Sequence, residues 1–141
     1  MLITINIVSL PGYNLIRRDR RERIQGGVCV YIRNTINFNI LHDLFSNEFE
    51  ALWLDLRLTR LPRGVSNIIL CNLYHPPGAD DELMINYLFE SIVTVETKFP
   101  NGGIIISGDF NKLNVRSLKN SFNLRQIINF PTRGNNTLDL L

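Results

Sequence analysis

The sequence predicts an α+β domain, with about seven or eight short strands gathered around one long helix. Three observations carry that reading. Short apolar runs recur along the whole chain, several of them alternating apolar with polar residues, which is the two-residue period of a half-buried strand. Only one segment, Asp81 to Phe99, repeats its apolar residues at helical spacing. The strands mostly follow one another through hairpin-like turns, which argues for an antiparallel or mixed sheet and against a succession of strand–helix–strand units.

Taken in order, Met1-Leu2-Ile3-Thr4-Ile5-Asn6-Ile7-Val8 reads as a first strand, closed by the Pro11-Gly12 turn. Arg17 to Arg23 is a charged, mostly basic stretch expected as a solvated loop or edge. Gly26-Gly27 introduces the strand Val28 to Ile32, and Ile36 to Leu41 alternates as a half-buried strand. Glu50 to Leu58 puts Leu52, Leu54, Leu56 and Leu58 on one face and Trp53 on the other. Leu61-Pro62-Arg63-Gly64 turns the chain into the strand Asn67 to Tyr74, which Pro76-Pro77-Gly78 stops. Asp80 or Asp81 can cap the long helix, and Asp81 and Glu82 suit the positive end of its dipole. Its stripe of Leu83, Met84, Tyr87, Leu88, Ile92, Val95 and Phe99 is core packing. Pro100-Asn101-Gly102-Gly103 ends it. A short helix near Val115 to Lys119, a short strand near Gln126 to Phe130 and the start of another over Thr137 to Leu141 complete the expectation.

A chain of 141 residues is about one domain, and its apolar fraction of 45% is ordinary for a globular protein. No apolar run approaches the ~18 residues of a membrane helix. The first eight residues lack the basic flank and small-residue cleavage site of a signal peptide, so an intracellular location, nuclear or cytoplasmic, is expected. Cys29 and Cys71 both lie in apolar runs and are expected to be buried, free and structural. His42 and His75, the only histidines, make no metal-binding spacing with them. Net charge is only +2, but it is unevenly spread. Residues 1–33 carry six Arg against Asp19 and Glu22. Residues 80–99 carry five acids against Lys98. From residue 103 onward five Lys and Arg oppose Asp109 and Asp139. Such asymmetry can steer a polyanion to one face.

The most informative run is Ile104-Ile105-Ile106-Ser107-Gly108-Asp109-Phe110-Asn111. A buried β-branched strand ends on a small Ser-Gly pair, and two oxygen-bearing side chains follow two positions apart. Asp109 offers an anionic ligand or proton acceptor, and Asn111 an amide that both donates and accepts. Gly-Asp after a strand is also a common turn, so the pair alone does not decide.

Several segments, in order, resemble the endonuclease/exonuclease/phosphatase superfamily, the group of deoxyribonuclease I and the apurinic/apyrimidinic endonucleases. The nearest likeness is to the endonuclease domain of non-LTR retrotransposons. Pro11-Gly12-Tyr13-Asn14, the Arg-rich stretch and Gly26-Gly27-Val28 look like its first segment, and Phe49-Glu50-Ala51-Leu52-Trp53 like its central strand. Asn72-Leu73-Tyr74-His75-Pro76-Pro77 is similar to its Tyr-Pro-Pro motif, and Gly108-Asp109-Phe110-Asn111 to its most characteristic tetrapeptide. Pro131-Thr132-Arg133 and Thr137-Leu138-Asp139-Leu140 look like its late segment.

The resemblance implies a four-layer αββα sandwich and phosphodiester hydrolysis in DNA with Mg²⁺, or Mn²⁺, as cofactor. It implies that Asp109 orients and deprotonates water, that Asn111 binds a phosphate oxygen, that Tyr74 donates to the phosphate or the leaving group, and that Asp139 orients a histidine. Arg17, Arg18, Arg20, Arg21 and Arg23 are the candidate nucleic-acid contacts. Two elements of the pattern have no match here. No acidic residue precedes Asp19 to serve as the family's metal-binding Glu, and no histidine follows Asp139. His75 is expected as a partly exposed strand-end residue. Residues 1–141 therefore read as one partial domain, incomplete at both ends, marginally stable and with weak or no activity. Cys29, Trp53 and the Leu52/Leu54/Leu56 face are expected to be unusually exposed. The alternatives are a non-catalytic nucleic-acid-binding remnant and a phosphatase of the same superfamily.

Overall fold

Alternation along two central strands decides the architecture. The computed structural model describes residues 9–19, 27–130 and 139–140. The expected strand over residues 1–8 lies outside them. In chain order the elements are β1 (Tyr13–Asp19), β2 (Gly27–Arg33), β3 (Asn37–Ile40), β4 (Glu50–Arg57), β5 (Asn67–Tyr74), α1 (Asp81–Lys98), β6 (Gly102–Asp109), α2 (Arg116–Ser121) and β7 (Asp139–Leu140). β1 and β2 form a two-stranded antiparallel sheet. The other five strands form a second sheet in the order β3-β4-β5-β6-β7. All its pairs are antiparallel except β5–β6, which are parallel and joined through α1. The sheet is thus mixed, as expected, and holds a single strand–helix–strand unit.

Residues of β4 and β5 point alternately to two cores. Ala51, Trp53, Ile69, Cys71 and Leu73 pack against Met84, Leu88, Ile92 and Val95 of α1 and Leu118 of α2. Leu52 and Leu54 face the other way, onto Ile16 of β1 and Val28 and Ile32 of β2. The described residues therefore make three layers: helices, five-stranded sheet, two-stranded sheet. Trp53, Leu52 and Leu54 are essentially sealed from solvent, which corrects the expectation that they are exposed. The two-stranded sheet covers the leucine face, and α1 covers the tryptophan. Trp53 alone removes on the order of 200 Å² from water, about 5 kcal/mol of transfer free energy.

Polar anchors lock these layers. Trp53 Nε1 donates to Tyr87 Oη at 3.0 Å, and that hydroxyl donates to the Leu44 carbonyl at 2.7 Å. Buried Asp55 accepts from Arg57 at 2.9 Å and from Asn67 Nδ2 at 2.6 Å. Asp80 caps α1 by accepting from the Leu83 N–H at 3.0 Å. Burial pushes the Cys71 thiol well above its ordinary range, so it is an inert core residue.

Three further expectations are corrected. Cys29 is exposed, against the burial expected from its apolar run and in line with the exposure expected of an incomplete domain, because it lies on the face of β2 turned away from the Leu52/Leu54 core. Residues 126–130 form no strand, having no ladder partner among the described residues. His75 is buried, 3% exposed, because the first turn of α1 folds back over it.

Candidate active site at the ends of β5 and β6

The parallel register of β5 and β6 sets Tyr74 opposite Asp109. Their antiparallel neighbours extend the row: Glu50 lies opposite Tyr74, and Asp139 opposite Asp109. Four polar residues thus stand at one level across four strands. The placement of Asp139 is that of its backbone. Gly108 makes the approach possible. Its φ is +133°, and a Cβ there would lie 1.9 Å from the Leu73 carbonyl oxygen. Only glycine lets β6 close on β5 immediately before Asp109.

The Asp109–Asn111 turn is fixed from both sides. The Asn111 N–H donates to Asp109 Oδ1 at 3.0 Å, an Asx-turn that orients the carboxylate. Asn111 has φ 51°, a left-handed conformation that asparagine tolerates better than most residues. Its Nδ2 donates to the His75 carbonyl, and the His75 N–H donates to the Asp109 carbonyl at 2.9 Å. The residue after Tyr74 therefore clamps both ends of the turn.

The His75 ring is held in its turn. Its Nε2 lies 2.6 Å from Asp81 Oδ1 in the first turn of α1. A carboxylate can only accept, so Nε2 carries the hydrogen, and buried Nδ1 has no hydrogen-bond partner among the described residues. Sequence reasoning missed this role. Its one available signal was an aspartate six positions on, at a helix start. Beside the row lies a recess of about 180 Å³ lined by Glu48, Glu50, Tyr74, His75, Asp80 and Met84. Glu50, placed in the row by its register, was singled out only as part of a strand motif.

A hard divalent cation takes six or more oxygen ligands, carboxylates prominent among them. The described residues contain no group of three or more His, Cys, Asp or Glu side chains able to hold a metal ion. They do not by themselves fit a Mg²⁺ or Mn²⁺ site, and no chemical step is assigned to one.

The basic candidates divide. Arg18, in β1, turns its guanidinium inward. Nη1 donates to the carbonyls of Phe49 at 3.2 Å and Ala51 at 3.0 Å, Nη2 donates to that of Ser46, and the group stacks 4.8 Å over Phe45. It ties the two-stranded sheet to the segment entering β4. Arg17 is exposed on the same strand. Arg20, Arg21 and Arg23 lie outside the described residues.

No protein-family model and no curated protein matches the chain. Among solved structures, the chain is similar to the endonuclease domain of TRAS1, a telomere-specific non-LTR retrotransposon. The TM-score is 0.63 at 16% identity, over 93% of this chain and 64% of that one. The chain thus spans less than two thirds of that domain. It has the same fold, in agreement with the likeness read from the motifs.

Proposed function

We propose that the row at the ends of β5 and β6 is a DNA phosphodiester-cleaving site of the retrotransposon endonuclease type, within a four-layer αββα sandwich. The observation that carries this reading is the pairing of Tyr74 with Asp109, with Asn111 clamped to the main chain between them. The endonuclease fold of the similar structure supports it. Hydrolysis of a phosphodiester needs a positioned nucleophile and stabilisation of charge that develops on oxygen. Asp109, its Oδ1 fixed by the Asn111 N–H, orients and deprotonates water. Asn111 uses a remaining amide hydrogen toward a phosphate oxygen. Tyr74 donates to the same phosphate or to the leaving oxygen. Asp139, level with Asp109 in the sheet, suits the orientation of an imidazole.

Divalent-metal dependence belongs to this reading, with no ligand set assigned. Residues 1–141 taken alone carry no acid before Asp19 and no histidine after Asp139, so cleavage by these residues alone is weak or absent. Each such group typically contributes ~10²–10³ in rate.

The test pairs cleavage with binding. Supercoiled plasmid is incubated with Mg²⁺ or Mn²⁺ and either wild type or Asp109→Ala, and backbone and side-chain NMR shifts are followed as duplex DNA is added. Expected are shifts at Tyr74 and Asn111 together with faint or no nicking, any of which Asp109→Ala abolishes. Strong nicking lost in Asp109→Ala keeps the site and overturns the impairment. A folded protein whose Tyr74 and Asn111 ignore DNA, or nicking that survives Asp109→Ala, overturns the site.

A further inference from the structure

A basic surface contiguous with this site lies within the positively charged segment after residue 103. From Phe110 to Phe130 the chain carries Lys112, Arg116, Lys119 and Arg125 and not one carboxylate. The same stretch holds Asn111, Asn114, Asn120, Asn123, Gln126 and Asn129. None of the four cations is in an ion pair among the described residues, whereas Arg57 pairs with Asp55 and Lys98 with Asp43.

These residues line two open grooves. One, of about 470 Å³, begins at Asn111 and is bordered by Lys112, Asn114, Arg116, Lys119 and Asn120. The second, of about 610 Å³, shares Lys119 and Gln126 with the first and carries on past Asn123, Arg125 and Asn129. The surface is built, not loose. Arg116 and Lys119, three apart on α2, share a helix face. The Asn114 side chain accepts from the Arg116 N–H at 3.0 Å. The Leu124 N–H bonds back to the Lys119 carbonyl at 3.0 Å, and Lys119 Nζ reaches Gln126 Oε1 at 3.3 Å.

We propose that this surface carries the phosphate backbone of the duplex away from the reaction centre, with Lys112, Arg116, Lys119 and Arg125 as phosphate contacts and the amides as adaptable donors. The proposal rests on the reading of the Asp109–Asn111 turn as a DNA site and adds the direction in which the strand leaves it. Cations with no ion pair among the described residues, interleaved with amide donors, match a repeating phosphate ladder. Asn111 belongs to both the reaction centre and the first groove, so one strand can occupy both. Arg18, by contrast, is committed to carbonyl oxygens inside the protein.

Each phosphate neutralised releases counterion, so log K falls with log salt by about 0.9 per contact. At roughly 0.1 M salt one contact then corresponds to about eightfold in affinity. Binding of a fluorescein-labelled duplex is followed by anisotropy, in chelator, across a salt series. Lys112→Ala/Arg116→Ala/Arg125→Ala is expected to reduce the slope by about 2–3 and to weaken binding by ~10²–10³-fold. Arg60→Ala/Arg63→Ala removes two exposed charges in the β4–β5 turn, at the opposite end of those strands. That variant is expected to change the slope by less than about 1. A triple variant that binds within about twofold of wild type overturns the proposal, and so does a control pair that loses as much. NMR separates this failure from that of the site. DNA that shifts Asn111 while the triple variant binds normally leaves the site and removes the surface. Loss in the triple variant, with Asn111 unmoved and no nicking, leaves a DNA-binding surface and removes the cleavage reading. Wild type that binds no duplex overturns both.

Discussion

Replacing Gly108 by alanine is the sharpest structural test of how the row of Glu50, Tyr74, Asp109 and Asp139 is assembled. The added Cβ lands 1.9 Å from the Leu73 carbonyl oxygen and 2.8 Å from the Leu73 nitrogen and carbonyl carbon, all main-chain atoms that no rotamer change can move. Restoring an ordinary contact of 3.4 Å requires β6 to retreat about 1.5 Å from β5, which breaks the parallel ladder next to Tyr74 and Asp109. Losing about two ladder hydrogen bonds costs ~2 kcal/mol. Holding a non-glycine residue at φ +133° adds ~1–3 kcal/mol. The total of roughly 3–5 kcal/mol is a large share of a small domain's stability and corresponds to a melting point lowered by on the order of 10 °C or more. Gly103→Ala is the matched control in the same strand. There the new Cβ meets the flexible end of Ile68 at 2.9 Å, with Val65 Cγ1 next at 3.7 Å, so a side-chain adjustment suffices and a loss below about 1.5 kcal/mol is expected. Thermal unfolding by circular dichroism compares the two, and amide exchange at His75 reports on its bond to the Asp109 carbonyl. A Gly108→Ala protein that melts no lower than Gly103→Ala would refute the close approach, and with it the alignment of Tyr74 and Asp109.

Three other expectations follow from single contacts. Asn111→Gly should be about 1 kcal/mol more stable than Asn111→Ala in urea denaturation, because glycine keeps φ 51° without penalty; equal stabilities refute the left-handed assignment. Arg18→Ala should cost about 2–4 kcal/mol, with Arg18→Lys recovering little of it, since one ammonium cannot reach three carbonyls and stack on Phe45; a loss below about 0.5 kcal/mol in denaturant unfolding means the guanidinium faces water instead. Burial holds the Tyr87 phenol up at about 12 from its ordinary 10. The folded state keeps its proton where the unfolded state gives it up, so the stability is full below pH 10 and lost as pH rises to about 12; a phenolate absorbance titration showing every tyrosine ionising at the ordinary value contradicts this.

The parts of the fold legible in the sequence were those written locally. The stripe Met84, Leu88, Ile92, Val95 fixed α1 to within a residue, since one face of a helix must be apolar to be covered. The alternation Leu52, Trp53, Leu54 correctly assigned two faces to β4, and the structure supplies a separate core for each. Val28-Cys29-Val30-Tyr31-Ile32 could not be read the same way. Every residue of that run is compatible with burial, so nothing local marks Cys29 as the side facing out, and only the two-sheet packing decides it. Ile127, Ile128 and Phe130 have strand composition, yet a strand exists only where another backbone offers its donors and acceptors.

The site divides along the same line. Asp109 and Asn111 were visible because turn chemistry and strand end are adjacent in sequence, and the Asx-turn that orients them spans two residues. Tyr74 could be named but not placed, because its position beside Asp109 depends on the β5–β6 register across 35 residues. His75 was misjudged as partly exposed for the same reason: its surroundings come from α1 and from the Asp109–Asn111 turn, neither of which is its neighbour in the chain. Arg18 shows the converse hazard. Within an arginine-rich run it looks like a phosphate contact, yet its acceptors lie 28 to 33 residues away, inside the protein. Lys112, Arg116, Lys119 and Arg125 showed in the sequence only as part of an excess of charge after residue 103, and a short helix and a left-handed turn at Asn123 bring them onto grooves that start at Asn111. Charge density along the chain therefore does not show which cations are committed inside the protein, as Arg18 is, because pairing is a property of the fold.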